Sequence, residues 1–172
     1  RHLTILATNY SLDLGLAVTL LITLIFAACV NAGDTKPGCS EWKQPTDDDF
    51  AAIVGKDKAQ FIDRVLSVLE NEVVPKTMKG VRAGNKLFGA AILNKSDLST
   101  VLAATNTETG NPLFHGEVTA IFEFYDLPKD KRPSPKDTIF IATHEPCPLC
   151  LSSITWAGFD NFFYLFTYED SR

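Results

Sequence analysis

Residues 115–117 read His-Gly-Glu, and residues 146–150 read Pro-Cys-Pro-Leu-Cys. Together they offer one imidazole and two thiolates, three ligand groups suited to Zn²⁺. Three protein ligands leave the fourth tetrahedral position open, the arrangement of a catalytic zinc and not of a closed structural one. Glu117 then stands where a carboxylate can move protons at that open position. The expected metal ligands are His115, Cys147 and Cys150, and the expected catalytic group is Glu117.

The spacing constrains the backbone around each pair. Successive helical residues are turned by about 100°. Cys147 and Cys150, three apart, therefore share nearly one helix face. His115 and Glu117, two apart, would diverge in a regular helix. They converge only if His115 sits at or before the first turn, and Gly116 is expected to supply the backbone freedom for that. Both halves of the site are thus expected to open helices, where partial positive charge favours thiolates. Pro146 stiffens the entry to the second helix, and Pro148 suits its first turn.

Working outward, Phe50–Val74 follows a helical period through Phe61, Val65, Leu66, Leu69 and Val73, broken at Gly55 and ended by Pro75. Residues 76–86 read as a basic loop. Residues 87–94 (LFGAAILN) read as a buried strand, 95–97 as a turn, and 100–105 (TVLAAT) as the hairpin partner. A loop over 106–114 leads to a helix over 117–125 with a stripe of Val118, Ile121 and Phe122. A strand over 138–143, a helix over 147–156 closed by Gly158, and a strand over 162–167 follow. Trp156 is expected in the core, and Glu145 at the start of the second helix. The order helix, hairpin, helix, strand, helix, strand predicts an α/β fold with three α/β/α layers around a mixed central sheet.

The chain has 172 residues, enough for one domain with a proper core. Its net charge of −5 is not the electrostatic footprint of a nucleic-acid binder and favours a small-molecule substrate. The Lys129–Arg132 loop reads as solvated surface, with contact to RNA as the less favoured alternative. The four cysteines, Cys29, Cys39, Cys147 and Cys150, also admit a disulfide framework, with Cys147 and Cys150 paired together or with distant partners. That accounts poorly for the set, because Cys29 lies in an apolar run. A four-cysteine zinc ribbon is excluded, since no Cys or His follows Cys150.

Leu14–Val30 is an uncharged run of seventeen residues. Residues 1–32 read first as a secretory signal, second as a membrane anchor with residues 14–30 in contact with the bilayer, and third as an extension from a faulty gene model. The chain is secreted or membrane-anchored under the first two readings and cytoplasmic under the third. Residues 33–49 read as a linker, and 50–172 as the folded domain.

At these residues the chain resembles the cytidine deaminase-like superfamily of zinc-dependent nucleobase and nucleoside deaminases, over about residues 55–172. The matching pieces are GAAIL (Gly89–Leu93), Asn106 after the second strand, HGEVTAI (His115–Ile121) and THEPCPLC (Thr143–Cys150). The family usually has Ala at position 116, so Gly116 is expected to loosen the helix start slightly. A His first ligand with E-P-C-x-x-C is closest to the guanine deaminase and tRNA adenosine deaminase branch. The resemblance implies Zn²⁺ on His115, Cys147 and Cys150, with Glu117 shuttling protons during hydrolytic release of ammonia. It places a substrate-binding Asn at Asn106, which reads equally as a cap or turn residue of the loop before His115. Phe114, beside His115, is a candidate to stack on a base. The implied substrate is a nucleobase, nucleoside or nucleotide, guanine first. A tRNA adenosine deaminase and a non-catalytic zinc-stabilised relative are the alternatives. Relatives commonly form homodimers, and usually continue with a further helix and often a strand, so the domain is expected to be C-terminally incomplete.

Overall fold

Gly89–Asn94 forms β1, a strand that is apolar on both faces because helices cover both. The computed structural model describes residues 47–55 and 57–170. The apolar run 14–30 and residues 33–46 of the expected linker lie outside them. In chain order follow α1 (Asp47–Val54), α2 (Lys58–Val68), a π-helical turn (Leu69–Val73), α3 (Val74–Arg82), β1, β2 (Thr100–Thr105), α4 (Gly116–Asp126), a 3-10 turn (Pro135–Asp137), β3 (Thr138–His144), α5 (Pro148–Trp156) and β4 (Phe163–Phe166).

Among the described residues the strands form one sheet in the order β2-β1-β3-β4. β1 runs antiparallel to both β2 and β3, while β4 runs parallel to β3. The sheet is therefore mixed. Alternation along β1 divides the core. Ala91 and Leu93 join Ile139 and Ile141 beneath Phe61, Val65, Val68 and Val73 of the α2 layer. Ala90 and Ile92 join Phe140 beneath Ala120, Phe124 and Ile154 of α4 and α5. The three-layer α/β/α expectation is met. Each such wholly buried Ile, Leu or Phe side chain stabilises the fold by about 1.5–3 kcal/mol.

Three details differ from the sequence reading. Asp47–Asp49, expected in the linker, open α1. Pro75 does not end the helix. The Val74 amide bonds Leu69 O in a π-turn, and the new register puts Pro75 in the first turn of α3, where its missing N–H costs little. Residues 76–82 are therefore helical and not loop. Leu66 is half exposed, and Val68 takes the buried position instead. Among the described residues no helix is long and apolar enough to cross a membrane.

Candidate metal centre

The topology brings two helix starts together. β2 and β3 flank β1 and are both antiparallel to it, so both finish at the edge of the sheet where β1 begins. The Gly89 amide at that edge donates to Thr143 Oγ1 at 3.0 Å. The helix following each flanking strand must start near this edge. α4 starts there after the 106–114 loop, and α5 starts there after residues 145–147.

His115 is the N-cap of α4, with φ −59° and ψ 161°. Cys147 is the N-cap of α5, with φ −67° and ψ 167°. Helix N-caps usually carry a short polar side chain that accepts an orphan amide. Neither His115 nor Cys147 does so. Their side chains face each other instead. His115 Nδ1 lies 3.5 Å from Cys147 Sγ and 3.5 Å from Cys150 Sγ, and the two sulfurs are 3.5 Å apart. Both cysteines are free thiols, so they are not paired as a disulfide. Cys29 and Cys39 lie outside the described residues. In a tetrahedral zinc site with Zn–S about 2.3 Å and Zn–N about 2.0 Å, ligand atoms stand about 3.5–3.8 Å apart. The three donors already have nearly that triangle, so the residues fit zinc.

Glu117 is buried beside this group, close enough for its carboxyl and the Cys150 thiol to perturb each other. Burial pushes the Glu117 carboxyl above its ordinary range. Its own backbone amide, Cys150 and His115 pull it back only in part. Burial also pushes the Cys150 thiol far up, with Glu117 and Cys147 adding to the effect. Both groups resist carrying negative charge until a cation arrives to share the site.

Gly116 has a different role from the one its sequence suggests. Its φ is not in the left-handed region. A Cβ there would lie 2.8 Å from Phe88 O and 2.9 Å from Gly89 Cα. The residue is small because α4 starts directly on the beginning of β1, and not because the turn needs a special conformation.

Residues 69–166, more than half of the chain, match the model of the cytidine and deoxycytidylate deaminase zinc-binding region. The chain belongs to that deaminase family. No curated protein matches it. Among solved structures, this deaminase domain is similar to guanine deaminase from Bacillus subtilis, with 29% identity and a TM-score of 0.50 over 67% of this chain and 68% of that one. It is also similar to a tRNA:A34 deaminase of wobble-position A-to-I editing, with 16% identity and a TM-score of 0.47 over 65% of this chain and 78% of that one. Guanine deaminase from Nitrosomonas europaea has 15% identity and a TM-score of 0.49, covering 80% of this chain and 75% of that one. The family and the His/Cys/Cys donor set together make Zn²⁺ the cofactor.

The remaining sequence candidates of this deaminase domain, and His144 near them, fall in different places. Asn106 is wholly buried. Its Oδ1 accepts the amides of Lys86 and Glu108 at 3.2 and 3.1 Å, and its Nδ2 donates to Glu108 Oε2 at 2.7 Å. Phe114 is half-buried, with its ring 5.2 Å from that of Phe122. His144 lies between the rings of Phe88 and Phe166, and burial lowers its pKa. Glu145 does not serve the start of α5. Its Oε2 accepts the Tyr168 amide at 3.1 Å and ties down the segment after β4. Trp156 is not core but 95% exposed. Of the Val118, Ile121 and Phe122 stripe only Phe122 is exposed, and Ile121 packs against the core; the three line a surface groove of about 810 Å³ with Leu149 and Trp156. Ala120 and Phe124 are the buried residues that seat α4 on the sheet.

Two neighbours of the centre were not singled out in the sequence. Glu108 Oε1 lies 3.5 Å from His115 Nε2. Burial alone would raise the Glu108 carboxyl. The Asn106 hydrogen bond and the bond and charge of Lys86 outweigh it and hold the group below its usual range. The Tyr168 hydroxyl donates to Pro146 O at 3.1 Å, immediately before Cys147. Burial, then Cys147, Glu145, Cys150 and Glu117, raise its pKa. A lone Glu in a loop and a Tyr past the last strand carry no periodicity or spacing that would mark them.

Proposed function

We propose that this chain is a zinc-dependent hydrolytic deaminase of a purine base, guanine foremost, converting the amine-bearing ring carbon to a carbonyl and releasing ammonia. The observation that carries the reading is the placement of Glu117: a buried carboxyl, held protonated more readily than usual, beside a His/Cys/Cys donor set. A metal-closing structural site has no use for such a group. A hydrolase needs one to take a proton from water and return it to the substrate. The similarity to the B. subtilis guanine deaminase supports a purine base over other substrates.

In this reading His115 Nδ1, Cys147 Sγ and Cys150 Sγ hold the metal. Zinc supplies Lewis acidity that makes a hydrolytic nucleophile available at neutral pH. Glu117 accepts the proton released by the attacking water, passes it to the ring nitrogen next to the reacting carbon, and delivers a proton to the departing amine. Water and the amino-purine thus yield the oxo-purine and ammonia. Phe114, the residue before His115, would stack on the base. Both polar atoms of the Asn106 side chain are engaged by Glu108 and Lys86, so its contribution runs through Glu108 unless those bonds exchange for a substrate.

We propose that a second copy of the chain covers the exposed α4–α5 face, which presents Phe122 and Trp156 at 64% and 95% exposure. An exposed aromatic patch of this kind marks an interaction surface.

Ammonia release from zinc-loaded protein, measured with guanine, adenine, cytosine, their nucleosides and a tRNA anticodon stem-loop, tests the assignment. Turnover of guanine ahead of the others is expected. Turnover of the stem-loop alone transfers the assignment to RNA editing. Stoichiometric zinc with no turnover on any of them leaves a structural metal site.

A further inference from the structure

We propose that Glu108 is a positioning residue for the metal centre: its carboxylate faces His115 Nε2 and commits that nitrogen to the proton, so that Nδ1 is presented bare to the two sulfurs. The inference deepens the reading of His115, Cys147 and Cys150 as ligands and does not depend on any substrate.

The geometry is a chain of contacts that runs through the imidazole from one ring nitrogen to the other. Nδ1 faces Cys147 and Cys150 at 3.5 Å, while the opposite ring nitrogen is 3.5 Å from Glu108 Oε1. A neutral imidazole carries its proton on one nitrogen and a lone pair on the other. A carboxylate at Nε2 selects the tautomer with the lone pair on Nδ1, which is the form a metal requires.

Glu108 is itself held from three directions. Asn106 Nδ2 donates to its second oxygen at 2.7 Å, Lys86 Nζ reaches the first at 3.1 Å, and its own backbone amide is tied to Asn106 Oδ1 at 3.1 Å. Asn106 is fully buried at the end of β2, so the carboxylate is anchored to the sheet and not to the tip of the loop. The loop is also closed beneath it, by the Thr107 amide to Phe114 O at 2.9 Å and by Thr107 Oγ1 against Thr119 Oγ1 at 3.2 Å. An N-cap His that makes no capping bond keeps more ring freedom than one that does. Glu108 removes that freedom before the metal arrives, which lowers the ordering cost of binding.

The test uses the full chain and zinc alone as the probe, and turnover enters neither measurement. In metal-free wild-type protein at fixed neutral pH, the ¹⁵N shifts of His115 should report the Nε2–H tautomer. Chelator competition should then show E108Q, which keeps the size but not the charge, binding zinc about 10–100-fold more weakly than wild type. The same variant should show a mixture of His115 tautomers. K86M removes only an exposed partner and should change affinity by less than about threefold. A wild-type His115 protonated on Nδ1, or E108Q binding zinc within about threefold of wild type with unchanged ring shifts, overturns the proposal. Failure of the deaminase reading would look different: H115A would still bind zinc as tightly as wild type, or wild type would bind zinc and turn nothing over.

Discussion

Gly89 Cα stands 2.9 Å from the point that a Cβ on Gly116 would occupy, so the helix carrying Glu117 rests directly on the first residue of the central strand. Gly89 is constrained in turn from the opposite layer, where a Cβ would meet Val73 Cγ1 at 2.5 Å and Thr77 Oγ1 at 2.9 Å. The two glycines form a seam through the sheet edge, with the metal donors on one side and the α2–α3 layer on the other. The seam sets the height of His115 above the sheet and hence its distance from the sulfurs.

G116A is therefore expected to destabilise the protein by about 1–3 kcal/mol, the usual cost of forcing a methyl into a filled space. The neighbours are backbone atoms, so rotamer changes cannot relieve the contact. The substitution is informative because Ala is the usual residue of the resembling superfamily at this position. Urea unfolding of wild type and G116A, both metal-free, reads the difference. An unchanged midpoint would mean that β1 yields freely and that the seam has no energetic content.

The seam also marks what the sequence could and could not disclose. Cys147 and Cys150 at a spacing of three, with His115 forced to the head of a helix to meet Glu117, announce the donor set, because ligand geometry restricts spacing so strongly. The unbroken apolar runs of β1 and β3 announce a sheet covered on both faces. The role of Gly116 is invisible, because a glycine needed for space and a glycine needed for a left-handed turn are written identically. Pro75 reads as a terminator, because a π-turn that resets the register has no sequence marker. Trp156 reads as core because apolar size is all the sequence shows, although Ile154, two residues earlier, is the side chain that α5 buries along with Cys150. Glu108 becomes meaningful only when the loop after β2 folds back against His115.

Glu117 offers a stability measurement independent of catalysis. Burial raises its pKa in the folded state, so the folded protein holds this proton to higher pH than the unfolded chain does. Between the ordinary glutamate value, about 4.3, and the raised one, the unfolded state binds fewer protons and stability falls as pH rises. Above both values the full penalty of a buried carboxylate is present. E117Q removes it. Metal-free E117Q should match wild type near pH 4 and exceed it in melting temperature by a margin that widens toward pH 7. With zinc restored, the same variant should retain the metal and lose about 10²–10⁴-fold in deamination rate. Melting curves that stay parallel across this range would show that burial imposes no charge penalty on the group. Unchanged turnover would remove Glu117 from the chemistry.

The cysteines predict a proton inventory. Burial, then Glu117 and Cys147, keep the Cys150 thiol protonated far beyond neutral pH in the absence of metal. A metal binds the thiolate, so zinc uptake must expel that proton. Calorimetric titration with zinc at pH 7, in buffers of different ionisation enthalpy, should show release of about one to two protons per ion. C150S should lose stoichiometric binding. Zinc uptake without proton release would place the ion elsewhere on the molecule.

The α4–α5 face predicts an association state. Phe122, Leu149, Leu151 and Trp156 leave one apolar surface uncovered, while the same two helices bury Ala120, Phe124 and Ile154 against the sheet. Charge at the exposed positions costs the core nothing, so W156E and F122E should fold as wild type does. If a second copy occupies this face, each variant places a carboxylate in an apolar contact without a partner, which a dimer does not tolerate. Light scattering coupled to size-exclusion chromatography should give a dimer mass for wild type and a monomer mass for both variants, with unchanged circular dichroism. A dimer that survives both substitutions has its interface on another face. A monomeric wild type leaves these side chains open to some other partner.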